Sequence, residues 1–375
     1  MPPDPNTPIP NTTAPNTTAP NTTAPNTMAP NTMAPNTMAP NTMAQPSLPG
    51  AGLVRPPGRR VALAGLLAAA ALPRRARGEA PLRLVIGFIG RGTMEQLSLF
   101  CTGHLQRHLG RPVVLERLPG RAGLRAMEAI LETRDGSALL LLPSSLFTLL
   151  PHALRPPGRV QPLAQFRPML SLASISFALA VDARHPARDL DAFLERARMM
   201  HREVEIGIPA LGSAPHFLSV LLARRNGLRF LPLPVPGVYQ ILAELAAGRM
   251  EAVMLPLSDA MQAHQAGEIR ILAMSAQTPP PALAGVRTRE AFGLREQDGV
   301  DRYGLFIGNH YTPEQHQLWR EALHVLSQYP GFPAFLSGLM LTPELIPEEP
   351  FAALLQAESR IWERRVRETG FSVES

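Results

Sequence analysis

The sequence contains no lysine and a single cysteine among its 375 residues. One cysteine excludes an internal disulfide and any metal site built from several thiolates. The ten histidines lack the spacing of two histidines with a carboxylate, so the sequence predicts no metal centre and no cofactor. Because lysine is absent, all 36 basic side chains are arginines.

The net charge of +6 is concentrated at the start of the chain. Residues 1–79 carry six arginines against Asp4 and Glu79, which accounts for four of the six net charges. Residues 80–375 hold 30 arginines and 28 acidic residues. A chain this balanced lacks the basic footprint that phosphate backbones require, so we expect no nucleic-acid partner.

Residues 1–53 are of low complexity. The unit Pro-Asn-Thr-Thr-Ala or Pro-Asn-Thr-Met-Ala occurs seven times without interruption over residues 10–44. A proline at every fifth position prevents both helix and sheet, and the repeat has no apolar face to bury. This segment is therefore either disordered or lies upstream of the true translation start.

Residues 54–78 have the pattern of an export signal. The pair Arg59-Arg60 precedes an apolar run over residues 61–72, and the small residues Ala76 and Gly78 suit cleavage before Glu79. So short a run cannot cross a bilayer, and no later stretch is long and apolar enough to do so. The adjacent arginines are compatible with twin-arginine export. The alternative is a short buried helix beside a basic linker.

The stretch over residues 82–96 organises the remainder of the chain. An apolar, β-branched run ends at Gly90-Arg91-Gly92, and a helical pattern begins at Thr93. This order predicts a buried parallel strand, a glycine turn and a helix start, with Thr93 and Gln96 at the spacing of a capping box. Amides at such a helix start point into a crevice where α/β proteins bind anions.

Strands and helices alternate after this first unit, which predicts βαβ units with parallel sheets. Residues 269–275 and 303–308 look like strands that lead the chain back to the first set of elements. The tail from residue 313 is predicted to contain helices. The other predicted strands are 112–116, 138–142, 177–181, 203–208, 230–233 and 252–255, and the main predicted helices are 94–109, 190–200, 215–226, 238–248 and 257–266.

Several motifs in this order resemble the solute receptors of tripartite tricarboxylate transporters, the Bug family of periplasmic binding proteins. The motifs that carry the resemblance are Gly90-Arg-Gly-Thr93, Pro119-Gly120, Ser144-Ser145, Gly212-Ser-Ala-Pro-His216, Gly237 and Ala247-Gly-Arg-Met-Glu251. The resemblance implies an α/β, two-lobed fold like that of type II periplasmic binding proteins. Each lobe would be a mainly parallel sheet flanked by helices, with lobe 1 at residues 79–182 and 301–375 and lobe 2 at residues 183–300.

The resemblance also implies a function without catalysis. Such a receptor acts in the periplasm, binds a small organic carboxylate in the cleft between its lobes and delivers it to membrane permease subunits, and we expect a monomer. Two alternatives remain open. The protein could present its ligand to a membrane sensor kinase, or it could be a degenerate receptor that has lost binding.

The candidate ligand-binding residues lie in loops that end strands and begin helices. Each charge-assisted hydrogen bond contributes roughly 1.5–3 kcal/mol, so several reach the roughly 8 kcal/mol of a micromolar complex. Ser213 is expected to cap a helix with Pro215 in its first turn. The candidates are Gly90, Arg91, Gly92, Thr93, Ser144, Ser145, Gly212, Ser213, Ala214, His216 and Gly237.

Some of these positions have two interpretations. Arg91 could hold a carboxylate in a bidentate pair or be a solvated loop arginine, and His216 could donate to a ligand or cap the helix. Cys101 and His104 are expected to pack on a helix rather than to form a reactive pair.

Departures from the family pattern indicate the kind of ligand. Met94 replaces an acidic residue common in the family, and Leu255-Pro256 replaces an Asp-Asn pair. Both changes predict a more apolar cleft. We therefore expect a monocarboxylate with an apolar or aromatic body rather than citrate.

The position of the export signal gives a first prediction. An export signal is read at the start of a protein, so we expect translation to begin near Val54 rather than at Met1. Mass spectrometry of N-terminal peptides from the expressed precursor checks this. Detection of a peptide that spans residues 10–44 would refute it.

Overall fold

The computed structural model describes residues 80–295, 298 and 300–374. The predicted repeat segment over residues 1–53 and the predicted export signal over residues 54–78 lie outside the described residues. Within the described ranges, no helix combines the length and the apolar character needed to cross a bilayer.

The described residues form an α/β fold. The strands are β1 (Leu82–Ile86), β2 (Val113–Arg117), β3 (Ala138–Pro143), β4 (Leu154–Arg155), β5 (Phe166–Ile175), β6 (Phe177–Asp182), β7 (Val204–Ile208), β8 (Phe230–Pro234), β9 (Ala252–Pro256), β10 (Ile269–Met274), β11 (Asp301–Gly308), β12 (Thr342–Pro347) and β13 (Val373–Glu374). The α-helices are α1 (Thr93–Leu109), α2 (Leu124–Glu132), α3 (Ser145–Thr148), α4 (Leu150–Ala153), α5 (Pro162–Gln165), α6 (Leu190–Met199), α7 (Ala214–Arg225), α8 (Val238–Ala246), α9 (Leu257–Gln265), α10 (Pro313–Ser327), α11 (Phe332–Gly338) and α12 (Glu348–Thr369). Short 3₁₀ helices occupy Arg121–Gly123, Pro281–Leu283 and Arg289–Phe292.

Two mixed sheets organise these elements. A six-stranded sheet has the order β12-β5-β11-β3-β1-β2, and a five-stranded sheet has the order β10-β6-β9-β7-β8. The predicted parallel units are present, because β1 pairs in parallel with β2 and β3, and β7 with β8 and β9. The other ladders of both sheets are antiparallel.

The chain crosses between the sheets twice, after β5 and after β10. Only Ser176 separates β5 from β6, and β6 pairs within the five-stranded sheet. The sequence analysis placed the boundary between the lobes after residue 182. This position lies at the end of β6, which belongs to the five-stranded sheet. The sequence gives no turn signal at Ser176, and the prediction also missed β5, whose internal Pro168 argues against a strand.

Aromatic side chains of the C-terminal segment connect the two sheets. Trp362 of α12 is 3% exposed, so one face of α12 belongs to the core. Its ring lies 5.3 Å from that of Phe217 on α7, and the ring of Phe371 lies 5.1 Å from the same phenylalanine. Edge-to-face pairs of this kind add specific geometry to the burial of apolar surface. The tail therefore holds α7 as well as the six-stranded sheet.

A buried ion pair lies next to the start of β11. The guanidinium of Arg302 donates to Glu358 on α12, and both residues are almost completely buried. Burial raises the pKa of Glu358 to about 7, against the opposing effect of the Arg302 charge. Folding therefore takes up a proton at this carboxyl group around neutral pH.

This shift predicts a pH dependence of stability. Because the folded-state pKa of Glu358 is raised from 4.5 to about 7, its contribution is complete below the lower value and is lost as the pH rises through the higher one. A shift of this size corresponds to roughly 3 kcal/mol. We expect Glu358→Gln to flatten the fall in unfolding free energy between about pH 5 and about pH 8, as measured by urea denaturation.

A matched control is available on the same helix. Glu363 is an exposed glutamate that pairs with Arg367, so Glu363→Gln should leave the pH dependence as in the wild type. An unchanged slope in Glu358→Gln would contradict the prediction.

Candidate functional site

A cavity of about 80 Å³ lies between the two sheets, where the strands end and helices begin. At roughly 10–15 Å³ for each water-sized group, this volume corresponds to a small molecule, and a larger cavity of about 860 Å³ shares Phe88 and Pro209 with it. The six-stranded side contributes Ile86, Phe88, Ile89, Gly90, Gly92, Met94, Glu95, Pro143, Ser145, Leu146, Ile175, Asp301 and Tyr303, and the other side contributes Phe177, Pro209, Ser213, Pro215, Gly237, Val238, Pro256 and Asp259.

The first helix start at this cavity is that of α1. The turn before it passes through Gly90, whose φ of 118° suits glycine, and Gly92 occupies the N-cap position. The peptide N–H and the hydroxyl of Thr93 donate to Oδ1 of Asp259 at 2.7 and 2.8 Å. Asp259 comes from α9 beside the other sheet, so this helix start binds a carboxylate that belongs to the protein itself.

The prediction of a capping box at Thr93 and Gln96 is wrong. Helix α1 has no side-chain cap. Gly92 occupies the N-cap position, one residue before Thr93, and the amide of Gln96 donates to the Gly92 carbonyl at 3.2 Å. The hydroxyl of Thr93 donates to Asp259. The sequence could not reveal this partner, which lies far along the chain.

The second helix start, at Ser144 and Ser145, also holds an internal carboxylate. Oδ1 of Asp301 accepts from the Ser144 hydroxyl at 3.1 Å and from the Ser145 amide at 2.9 Å. Its Oδ2 accepts from the Ser145 hydroxyl at 2.8 Å. The donors that the sequence assigned to a ligand carboxylate are therefore already bonded to Asp301.

The third helix start, that of α7, has a different arrangement. Ser213 stands at the N-cap position with Pro215 in the first turn, as expected. However, the Ser213 hydroxyl donates to the carbonyl of Ala210 at 2.6 Å rather than capping the helix. Among the described residues, no side chain accepts a hydrogen bond from the amides of Ala214 or His216, so this helix start keeps donors that are not committed to an internal carboxylate.

The side chain of His216 makes its contacts within the protein. Its Nδ1 accepts from the amide of Gly212 at 3.1 Å, and its ring lies 4.7 Å from that of Phe371. Burial lowers the pKa of His216 to about 4, so the ring is neutral at physiological pH. These contacts favour the capping interpretation over a charged donor to a ligand.

The predicted residues divide into three groups by location. Gly90, Gly92, Ser145, Ser213 and Gly237 line the cavity. Arg91 is exposed, lies outside the lining and makes no ion pair with any described residue. Of its two interpretations, this position favours a solvated loop arginine. The third group is buried and lies beside the lining; it consists of Thr93, Ser144, Gly212, Ala214 and His216. The role of all these residues as ligand contacts stays a prediction.

The described lining of the cavity is acidic and apolar, with no arginine or histidine. Burial raises the pKa of Asp259 and of Asp301, while the donors from Thr93 and Ser145 oppose that rise. Burial, together with the charges of these two aspartates, also raises the pKa of Tyr303. Sequence reasoning missed all three residues, and the only signal for Asp259 was an acidic residue in the first turn of a helix.

Two other expectations concern metals and thiols. Among the described residues, no group of three or more histidine, cysteine or acidic side chains is placed to hold a metal ion. Cys101 is fully buried, and burial raises the pKa of its thiol to about 12. The ring of His104 lies 4.3 Å from that of Phe100. Cys101 is thus a packing residue, as expected.

Solved structures of periplasmic binding proteins share this fold. BugD superposes with a TM-score of 0.69 at 16% identity, over 79% of this chain and 99% of BugD. An R. palustris protein solved with adipate gives 0.70 at 21%, over 79% and 98%, and MatC from Rhodopseudomonas palustris with bound malate gives 0.67 at 19%, over 76% and 98%. The chain therefore has the fold that these proteins share.

Sequence comparison gives the family. The tripartite tricarboxylate transporter family receptor matches residues 100–371, and the chain belongs to this family. Protein BugT of Bordetella pertussis is 23% identical over 291 residues, which cover 77% of this chain and 89% of BugT. Proteins of this family are periplasmic solute receptors that work with membrane transporters, not enzymes.

The bond between Thr93 and Asp259 predicts opposite effects for two substitutions. Asp259→Asn keeps an acceptor for both Thr93 donors but removes a buried charge whose pKa is raised. A raised carboxyl pKa means that stability is lost as the pH rises, so the amide variant should be more stable than the wild type at about pH 8. The difference should disappear near pH ~4.

Asp259→Ala is the matched contrast. It leaves the amide and the hydroxyl of Thr93 buried without an acceptor, which costs about 1–3 kcal/mol for each group. Urea denaturation of the three proteins at both pH values measures the effect. Equal destabilisation by Asn and Ala would show that the hydrogen bonds do not depend on this acceptor.

Proposed function

We propose that this protein is an extracytoplasmic receptor that binds one small organic carboxylate and delivers it to a tripartite tricarboxylate-type membrane transporter. The observation that carries the proposal is the cavity between the sheets, with the uncommitted amides of the α7 start at its edge. Relatives of the same fold solved with adipate and malate support a carboxylate as the ligand class.

The carboxylate binds at the first turn of α7. The amides of Ala214 and His216 lie where the helix dipole is positive, and an anion there gains roughly 0.3–1 kcal/mol from the dipole in addition to its hydrogen bonds. The equivalent donors of α1 and α3 already serve Asp259 and Asp301. This cavity can therefore accommodate one ligand carboxylate.

The body of the ligand is apolar and short. Phe88, Met94, Leu146, Phe177 and Val238 line the cavity, and burial of apolar surface against them contributes roughly 25 cal/mol per Å². Citrate would bring further carboxylates next to Asp259 and Asp301, where like charges in a desolvated site repel each other. These features support a monocarboxylate rather than a tricarboxylate.

The two sheets correspond to the two lobes that close on the ligand. We place the division after Ser176 and after residue 300, in agreement with the sheet order. Closure requires rotation at only these two crossings. The closed surface then presents the ligand to the permease. Export through the twin-arginine route and action as a monomer complete the proposal.

Ligand binding by the mature protein tests the proposal. We expect acids with one carboxylate and an apolar body to raise the melting temperature and to bind with dissociation constants of about 1–100 μM, that is about 5.5–8 kcal/mol, with citrate at least roughly tenfold weaker. Isothermal titration calorimetry measures both. Tighter binding of citrate would overturn the assignment of ligand class.

Two variants locate the site. Val238→Phe places a larger side chain at the cavity wall and should weaken binding by at least roughly tenfold. Arg91→Ala removes an exposed side chain outside the lining and should leave the affinity within about twofold. The reverse pattern would place the ligand at Arg91 and outside the cavity.

A further inference from the structure

We infer that Asp259 binds the ammonium group of the ligand, so that this receptor selects a small zwitterion, an apolar amino acid, over an acid without an amine. The inference rests on the proposed function and deepens it. The carboxylate of the zwitterion lies at the start of α7, as proposed above, and its amine faces the carboxylate of Asp259.

The hydrogen bonds of Asp259 carry this inference. Oδ1 accepts both donors of Thr93. Oδ2 accepts no hydrogen bond from any described residue, although the side chain is 5% exposed and lines the cavity. A carboxylate oxygen at a cavity wall that has no donor from the protein can accept a hydrogen bond from a ligand. A ligand that brings a donor to this oxygen completes the hydrogen bonding of Asp259.

The other acidic residues at the cavity have their own partners. Glu95 forms an ion pair with Arg117. Asp301 accepts from Ser144, Ser145 and the amide of Arg302. Among the acidic residues of the described lining, Asp259 is thus the one with neither an ion pair nor a donor to each of its oxygens, and no arginine or histidine lines the cavity to neutralise it.

A cationic ligand group fits this environment better than a neutral one. In a desolvated site a charge-assisted hydrogen bond is roughly twice as strong as a neutral one. Burial and, in addition, the charges of Asp259 and Asp301 raise the pKa of Tyr303, so this hydroxyl lies in the same negative potential. A second carboxylate in the ligand would meet that potential unfavourably, whereas an ammonium group is attracted by it.

Matched pairs of ligands isolate the contribution of the amine. L-alanine, L-valine and L-leucine are each compared with the acid that lacks only the amine, namely propanoate, 3-methylbutanoate and 4-methylpentanoate. We expect the wild-type protein to bind at least one amino acid at least about tenfold more tightly than its partner acid, as measured by isothermal titration calorimetry. In Asp259→Asn this preference should fall to about twofold or less.

Two control variants keep the test specific. Glu95→Gln removes a cavity carboxylate that is already paired with Arg117, and Glu363→Gln removes an exposed carboxylate on α12 that lies outside the cavity lining. Both should retain the preference for the amine. Circular dichroism and melting curves confirm that each variant is folded, which is expected for Asp259→Asn because the amide oxygen still accepts from Thr93.

The outcomes separate the two proposals. Binding of the deaminated acids as tightly as the amino acids would overturn the inference about Asp259 and leave the carboxylate receptor intact. An amine preference that persists in Asp259→Asn would also overturn it. Failure of every acid, with or without an amine, to bind the folded wild-type protein would overturn the proposed function itself.

Discussion

The structure depends on a pair of hydrogen bonds that cross between its two sheets. Both donors of Thr93, at the start of α1, converge on one oxygen of Asp259 at the start of α9. The donors belong to the six-stranded side and the acceptor to the five-stranded side, and both residues are buried. A helix start that would otherwise attract a solute anion is thereby converted into a contact that fixes one sheet against the other.

The same chemistry is repeated at Asp301, although there it acts within one sheet. Ser144 and Ser145 follow β3, and Asp301 begins the neighbouring β11. The next residue, Arg302, is neutralised by Glu358 behind the sheet. The buried, opposite charges of Asp301 and Arg302 are thus adjacent in the chain. Each has its own partners nearby, because a buried charge without hydrogen bonds or an ion pair is unfavourable. Asp259 differs from Asp301, because donors of the described residues reach only one of its two oxygens.

Much of the architecture could be predicted from the sequence, because local patterns determine it. The apolar run of β1, the glycine turn and the periodicity of α1 indicate one βα unit, and the ending of α1 at Gly110 in a left-handed conformation follows the rule for helix ends. The order of motifs then indicated the family. The strand β5 was missed because Pro168 opposes the pattern, and its pairing with β11 and β12 is set by tertiary contacts.

Part of the cavity lining could be predicted from the sequence, but its hydrogen-bond partners could not. Five of the candidate residues line the cavity, since helix starts carry a strong local signal, and their role as ligand contacts stays a prediction. Their partners could not be identified, because Thr93 and Asp259 are separated by 166 positions and Ser145 and Asp301 by 156. A local pattern shows that an amide is available, whereas only the folded chain shows which oxygen accepts from it.

The aromatic contacts of the tail have a mechanical consequence. Trp362 and Phe371, beyond the last strand of the six-stranded sheet, pack on Phe217 of α7, and Phe371 also contacts His216. The C-terminal segment is therefore a third, non-covalent connection between the two sheets, in addition to the two covalent crossings. Any displacement of α7 relative to the six-stranded sheet must carry these rings along or break their contacts.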